Sequence, residues 1–167
     1  MTEQDRTYHG VHTDDVGEAK RRVLVETTES GPTERQLRGR VLYELTAKDA
    51  EALGGFHWGY GGSGPGRAAD AILADALDLG DPWASGFNGW PVDPVLQALS
   101  LDFVADVLSQ CCAEWRISRA TVLRWCRGWY AQQGIEDLPE ALADLPELAS
   151  SRLEQQRLRR PGTSGPA

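Results

Sequence analysis

The glycine run 59–66 is the first part of the chain with the pattern of a binding site. Its glycines match the pattern G-x-G-x-x-G, with which the backbone of dinucleotide-binding proteins approaches a pyrophosphate. The N–H groups of a helix that follows could also hold an anion, with Arg67 alongside. Because Pro65 removes a backbone donor and the lysine of a P-loop is missing, we favour a structural turn and keep nucleotide or anion binding as an alternative. The candidate binding loop comprises Trp58, Tyr60, Gly61, Gly62, Ser63 and Arg67.

A second candidate is a group of arginines in an otherwise acidic chain. The residues from Trp115 to Trp125 have the pattern of the turn and recognition helix of a helix-turn-helix, although Arg116 stands where a turn glycine is common. DNA contact through the helix 116–127 is therefore one alternative, and an amphipathic helix with a solvated arginine face is the other. Tryptophan beside arginine also suits a contact with a protein. The candidate macromolecule face comprises Arg116, Arg119, Arg124, Arg127 and Trp129.

The remaining chemistry-bearing residues form no constellation. Asp70, Asp75 and Asp78 have the spacing of the polar face of a surface helix, with no nucleophile beside them. Neither His57 nor the cysteines have partners at catalytic or zinc-binding spacing, so we predict no catalytic residue, no metal site and no cofactor. The cysteines, expected to be reduced core residues, are Cys111, Cys112 and Cys126.

Composition restricts the class of protein. The 167 residues are enough for one domain with a core of its own, and 41% of them are hydrophobic. A formal net charge of −8 argues against general nucleic-acid coating, which depends on Lys and Arg. The sequence shows neither a long apolar run nor a basic leader, so we expect no membrane span and a cytoplasmic protein.

Strand signals come first along the chain. The strongest lie at Val23–Val25 and Val41–Tyr43, and the turn residues between them predict a hairpin. The alternation over Phe56–Tyr60 predicts a third short strand, on which His57 points away from the neighbouring aromatics. These elements predict a small antiparallel sheet in the N-terminal third of the chain.

Helices dominate the rest of the sequence. The last predicted helix has Ser118 as its N-cap and ends at Gly134. Between the first two helices lies a loop in which Trp83 and Trp90 are expected to anchor the chain on the body of the protein. The predicted helices are Arg67–Leu79, Pro94–Glu114 and Arg119–Tyr130.

The predicted fold class is therefore α+β, a small antiparallel sheet packed on three or more helices with a helical C-terminal extension. We expect a single α+β domain over residues 7–134 and an acidic helical extension over residues 135–160. Disordered ends are expected at residues 1–6 and 161–167.

The segment from Gly55 to Pro65, with the alanine-rich helix after it, resembles a family of small bacterial, phage and plasmid proteins. The family is classified only as a domain of unknown function (family 6166), and its members read F-x-W-G-Y-G-G-S-G-P. The resemblance extends over most of residues 8–130, except that the loop with Trp83 and Trp90 replaces a short link. It implies a compact α+β domain in a mobile-element or accessory setting, and it transfers no catalytic residue.

From these observations we expect a non-enzymatic accessory or interaction protein of a mobile element or its bacterial host. Its partner is expected to be another macromolecule, most simply a protein. DNA binding through the helix 116–127 and nucleotide or anion binding through the loop 59–66 remain the alternatives.

Overall fold

The computed structural model describes residues 6–15, 18–29, 39–48, 50, 52–143 and 145. Within these residues four strands form one antiparallel sheet in the order β3-β2-β1-β4, and five helices pack with it, so the predicted α+β class is confirmed. The strands are β1 (Arg6–Asp15), β2 (Glu18–Glu29), β3 (Gly39–Glu44) and β4 (Trp115–Ser118). The helices are α1 (Ser63–Ala76), α2 (Pro82–Ser85), α3 (Pro94–Asp106), α4 (Arg119–Gln133) and α5 (Glu140–Ala143).

Alternation along β1 and β2 gives the sheet an inner and an outer face. Tyr8 lies opposite Val25 in the register, and both side chains are fully buried on the inner face. Their neighbours His9 and Leu24 also face each other across the two strands, but they are only partly buried. Because successive side chains of a strand point to opposite faces, one face of the sheet lies on the core.

The helix α1 lies in the core rather than on the surface. Its side chains from Ala68 to Ala74 are all buried, including the carboxylate of Asp70. Alanine is the best helix former and has a small side chain, so other elements can approach the helix on several sides. The interpretation of Asp70, Asp75 and Asp78 as a solvated polar face is therefore wrong for the first two, since Asp70 is buried and Asp75 is partly buried.

Four charged residues, which we call the arginine–aspartate cluster, join the end of α1 to β1 and α4. Arg6 Nη1 donates to Asp75 Oδ1 at 2.9 Å, and the same guanidinium pairs with Asp78. Arg119 Nη2 donates to Asp78 Oδ2 at 2.8 Å, and its Nε donates to the carbonyl of Ala76 at 2.9 Å. Because both arginines are buried, these bonds compensate for the removal of their charges from water.

Two tyrosines extend the cluster to the inner face of the sheet. Tyr8 donates its hydroxyl to Asp75 Oδ1 at 2.6 Å, and Tyr43 donates to Asp75 Oδ2 at 2.8 Å. Burial and the hydrogen bond to Asp75 raise the pKa of Tyr43 to about 12, so its hydroxyl remains a donor at neutral pH. Asp75 therefore accepts bonds from β1 and β3 at once.

The predicted strand at Phe56–Tyr60 is wrong. Residues 55–58 have no strand pairing, although the predicted alternation is present, with Phe56 and Trp58 buried and His57 only partly buried. Trp58 donates its Nε1 to the carbonyl of Ala113 at 3.1 Å, and Gly59 donates its N–H to Leu108 at 2.8 Å. The bonds of this segment thus go to the chain before β4, which itself takes the edge of the sheet beside β1.

Several predicted boundaries also change. The sheet receives its fourth strand from residues 115–118, which were predicted as the turn of a helix-turn-helix, because this segment pairs with β1. The helix predicted over Pro94–Glu114 ends at Asp106 and is followed by a short 3-10 helix at Leu108–Gln110. The N-cap Ser118 is confirmed, and so is the end of α4 at Gly134.

The predicted ends need one correction. Arg6 was assigned to the disordered N-terminus, but it is the first residue of β1 because its guanidinium is held by the arginine–aspartate cluster. The rest of the predicted disorder, at residues 1–5 and 161–167, lies outside the described residues, as does the hairpin connection 30–38. Of the predicted extension, α5 and the residues before it are described, whereas most of 144–160 is not.

Replacing Gly10→Ala is expected to destabilise the protein by about 1–3 kcal/mol, because the added methyl group would overpack the sheet. Gly10 lies opposite Trp115 across β1 and β4, and a Cβ built there would lie 2.2 Å from the indole ring. The measurement is the free energy of unfolding in urea.

The matched control is Gly128→Ala in α4, where an added Cβ meets nothing within 4 Å. Alanine is a better helix former than glycine, so this variant should gain up to about 1 kcal/mol. Equal unfolding free energies for the two variants would contradict the packing of Trp115 on Gly10.

Candidate functional site

The candidate binding loop divides into a buried part and an exposed part. Trp58 is buried, and Arg67 donates to the carbonyls of Leu53 at 2.8 Å and Gly55 at 3.0 Å. These two candidate binding residues therefore hold the chain before α1 in place. The exposed candidates, at the start of α1, are Tyr60, Gly61, Gly62 and Ser63.

The structural setting of a dinucleotide fingerprint is not found around this loop. That fingerprint follows a strand of a parallel sheet, whereas the described sheet is antiparallel and residues 55–62 belong to no strand. Gly64 instead serves packing, since a Cβ on it would lie 2.8 Å from the Cβ of His57. His57 in turn bonds through Nε2 to the carbonyl of Gly54 at 3.0 Å.

The four arginines of the candidate macromolecule face do not lie on one exposed surface. The side chain of Arg116 is 62% exposed, and Arg124 is exposed on α4. Arg119 is buried in the arginine–aspartate cluster, and Arg127 donates to the carbonyl of Leu142 in α5. Two of the four arginines thus connect elements of this chain.

The tryptophan of the same candidate face is also inside the protein. Trp129 is buried and donates its Nε1 to Asp102 Oδ2 at 2.7 Å, which ties α4 to α3. Its ring packs on Tyr130 with the centroids 5.2 Å apart. Trp129 is therefore not available to a partner in this conformation.

Two other tryptophans are exposed, against expectation. Trp90 is 89% exposed and Trp83 is 43% exposed, whereas both were predicted to anchor their loop on the body. Phe87, only 3% exposed, is the anchor instead. We call residues 82–91 the aromatic loop.

The aromatic loop is tightly held although its tryptophans are exposed. Gly89 lies so close to Trp83 that an added Cβ would be 1.8 Å from the Trp83 carbonyl oxygen. At the other end, Asp93 donates its N–H to the carbonyl of Gly86 at 2.9 Å. The turn residues around Trp90 were visible in the sequence, and they are the signal that the loop has a defined shape.

A buried carboxylate fixes the middle of this loop. Asn88 donates its side-chain amide to Asp70 Oδ2 at 3.3 Å, and Ser100 of α3 donates to the other carboxylate oxygen. Burial raises the pKa of Asp70 to about 6. Asp70 lines neither of the two cavities described below, so its altered pKa accompanies a structural role rather than access to a substrate.

The Trp83 ring is in contact with the side chain of Lys48. The ammonium of Lys48 lies 4.3 Å from the centroid of the Trp83 ring, which is within the range of a cation–π contact. Lys48 comes from the segment after β3, so this contact connects the aromatic loop with the edge of the sheet.

Two cavities flank the segment Glu44–Ala47. The larger, about 1070 Å³, lies between β2 and residues 44–47 and 54–57, and we call it the edge notch. The smaller, about 510 Å³, lies between Tyr43 and the start of α2. Among the described residues we find no group of three His, Cys, Asp or Glu side chains that could hold a metal ion.

Replacing Arg119→Ala should lower the free energy of unfolding by about 2–3 kcal/mol, because it removes the donor to the Ala76 carbonyl and one of the two arginines that pair with Asp78. Arg124→Ala on the same helix is the control, and as an exposed substitution it should stay within about 0.5 kcal/mol. Urea unfolding measures both. Similar losses for both variants would show that Arg119 is not part of a buried cluster.

Asp70 is expected to make stability fall as the pH rises through the weakly acidic range. Its pKa is raised in the folded protein, so the stabilisation is complete below about pH 4 and is lost as the pH rises through about 6. The difference in unfolding free energy between wild type and Asp70→Asn should shift against wild type by on the order of 2 kcal/mol over this range. Asp106→Asn, an exposed change on α3, is the control, and a pH-independent difference for Asp70→Asn would contradict the prediction.

Described helices offer no segment long and apolar enough to cross a membrane. No curated protein and no solved structure matched the chain. A family model did match, over a segment that begins in β1, contains α1 and α2 and ends inside the aromatic loop. Over residues 9–88 this chain is thus similar to DUF6166, a family of unknown function.

Proposed function

We propose that this protein is a non-enzymatic accessory protein that binds another protein through the aromatic loop. The observation that carries the proposal is the exposure of Trp90, 89% of whose surface faces solvent from a loop of defined shape. Tryptophan is among the residues that contribute most to protein–protein contacts, because its large ring removes much apolar area from water.

The attachment of the loop supports this role. Ordering a flexible loop on binding costs free energy, and a loop that already has its bound shape avoids most of that cost. Phe87 is buried beneath the aromatic loop, and Asn88 is bonded to Asp70 of α1. Trp90 is thereby presented on a support that need not reorganise when a partner covers it.

The surroundings of Trp90 favour a protein over a nucleic acid. The exposed residues Asp81 and Asp93 lie on either side of the loop, and a phosphate backbone would be repelled by both. Of the arginines considered for DNA contact, only Arg116 and Arg124 are exposed, and the chain carries a net charge of −8. We also propose that the protein belongs to a mobile element or its bacterial host and is cytoplasmic. Only the sequence supports these two parts of the proposal.

Replacing Trp90→Ala is expected to abolish recovery of the partner without unfolding the protein. Tagged wild type and variant are used to capture proteins from a lysate of the source cell, with and without nuclease, and recovery is quantified by mass spectrometry. A partner should be recovered at least about tenfold less with the variant, which corresponds to about 1.4 kcal/mol. The variant should unfold within about 0.5 kcal/mol of wild type, because the side chain is exposed.

Leu42→Ala is the matched control, since Leu42 is also exposed but lies on β3. It should retain the partner. Equal recovery of every protein by wild type and Trp90→Ala would overturn the proposal. Recovery that depends on the absence of nuclease would instead support the nucleic-acid alternative through Arg116 and Arg124.

A further inference from the structure

Among the described residues, β3 covers only half of the edge of β2. β3 pairs with β2 only from Leu24 to Glu29, whereas β1 pairs with it from Glu18 onwards. Within the described residues, the stretch 18–23 therefore has a strand neighbour on one side only. An uncovered strand edge presents backbone N–H and C=O groups that can pair with another extended chain.

The backbone direction at this edge follows from one hydrogen bond. Leu45 donates its N–H to the carbonyl of Val23 at 2.9 Å, so the backbone groups of Val23 point to the β3 side. In an antiparallel sheet every second residue of a strand points the same way, so the N–H and C=O of Arg21 also point to that side. There β3 has ended, and these two groups face the edge notch.

The edge notch is a large cavity beside the part of β2 that β3 does not cover. Its volume of about 1070 Å³ exceeds that of a typical small-molecule pocket, about 300–1,000 Å³. Three of its lining residues, Leu45, Ala50 and Phe56, are apolar and nearly buried. A strand beside β2 would turn every second side chain to the inner face of the sheet, where Val23 and Val25 are buried.

The side chains of β2 at the notch are basic. Lys20 and Arg22 lie on the outer face, and each has polar partners in the free protein. Arg22 pairs with Glu44 of β3 at 3.7 Å, which shows the kind of side chain that a neighbouring strand presents there. Arg21 donates to the Trp58 carbonyl at 2.7 Å and lies 5.2 Å from the centroid of that ring, so this part of β2 is firmly held.

We propose that the edge notch binds an extended segment of another protein, which adds to the sheet as a strand beside β2. The backbone of the segment bonds to Arg21, its acidic side chains face Lys20 and Arg22, and the alternating apolar side chains face Leu45 and Phe56. Backbone pairing supplies the affinity, and the alternation supplies the specificity. The described residues that line the notch are 20–22, 44–47, 50, 52 and 54–57, whereas the proposed protein-binding function uses residues 82–91, so the two can be tested apart.

The probe is a phage library of random peptides of about eight residues, a common strand length, selected on the immobilised full-length protein. Ala52→Trp fills the notch from its exposed rim, and Ala120→Trp on α4 is the matched control, since Ala120 is also exposed. Circular dichroism melting confirms that both variants fold. Selected peptides should alternate acidic and apolar residues and should bind Ala52→Trp at least about tenfold more weakly than wild type or Ala120→Trp.

Strand addition has its own signature. A selected peptide has two sets of alternate backbone amides, of which one faces β2 and the other faces away. N-methylation of the set that faces β2 removes its donors and should abolish binding, whereas N-methylation of the other set should leave binding intact. The Lys20→Glu variant should weaken acidic peptides at least about tenfold through like-charge repulsion.

Three results would each overturn the inference. The first is the absence of any enriched peptide, and the second is equal binding to wild type and Ala52→Trp. The third is a wild-type dimer that Ala52→Trp converts to a monomer, because the occupant would then be a second copy of this chain. Failure of the Trp90→Ala experiment affects none of these readouts.

Discussion

The arginine–aspartate cluster is the constraint on which the arrangement of sheet and helices depends. It brings together the start of β1, the end of α1 and the start of α4, which are far apart in sequence. Displacing Arg6 or Arg119 from its carboxylate would leave a buried charge without a partner, at a cost of several kcal/mol. Apolar contacts are non-directional, whereas these hydrogen bonds weaken steeply when the angle at the donor hydrogen falls below about 120°. The cluster thereby selects one orientation of α1 on the sheet.

The alanine-rich composition of α1 makes that position attainable. A helix with larger side chains would hold the sheet, α3 and α4 further from its axis. The glycine run 59–66 also allows close packing, at the other end of the helix. There Gly64 has no side chain, so His57 can pack against the first turn. Trp58 then connects this turn to β2 through Arg21 and to the chain before β4 through Ala113. The most distinctive part of the sequence thus holds the centre of the fold together.

The surfaces proposed for binding lie at the periphery of this centre. The aromatic loop is fastened to α1 through Asp70, and the edge notch is bounded by a segment of β2 that Trp58 holds. Both surfaces are held firmly and have an incompletely covered group. In the aromatic loop this group is the indole of Trp90, and in the edge notch it is the backbone of β2. A rigid support lowers the entropy lost on binding, which is why exposure on such supports carries more weight than exposure on a free end.

Local signals in the sequence predicted the α+β class, the strands around Val23 and Val41, the caps of α4 and most helical residues. These features depend on the propensities and turn chemistry of neighbouring residues, which a single sequence displays directly. The strand at residues 115–118 and the missing strand at 56–60 could not be predicted in this way, because pairing with β1 is a contact across about a hundred residues.

Which side chains are buried also depends on contacts with residues that are distant in the sequence. Six tryptophans look alike in the sequence, yet Trp58 and Trp129 are buried donors and Trp90 is exposed. Likewise, Asp70 and Arg119 look like surface charges, but each finds a bonding partner on another element. The sequence by itself determined the α+β class, most helical residues and the strands around Val23 and Val41, because these features depend on neighbouring residues. Only the tertiary structure decided which side chains are enclosed, because enclosure depends on what the rest of the chain brings to each face.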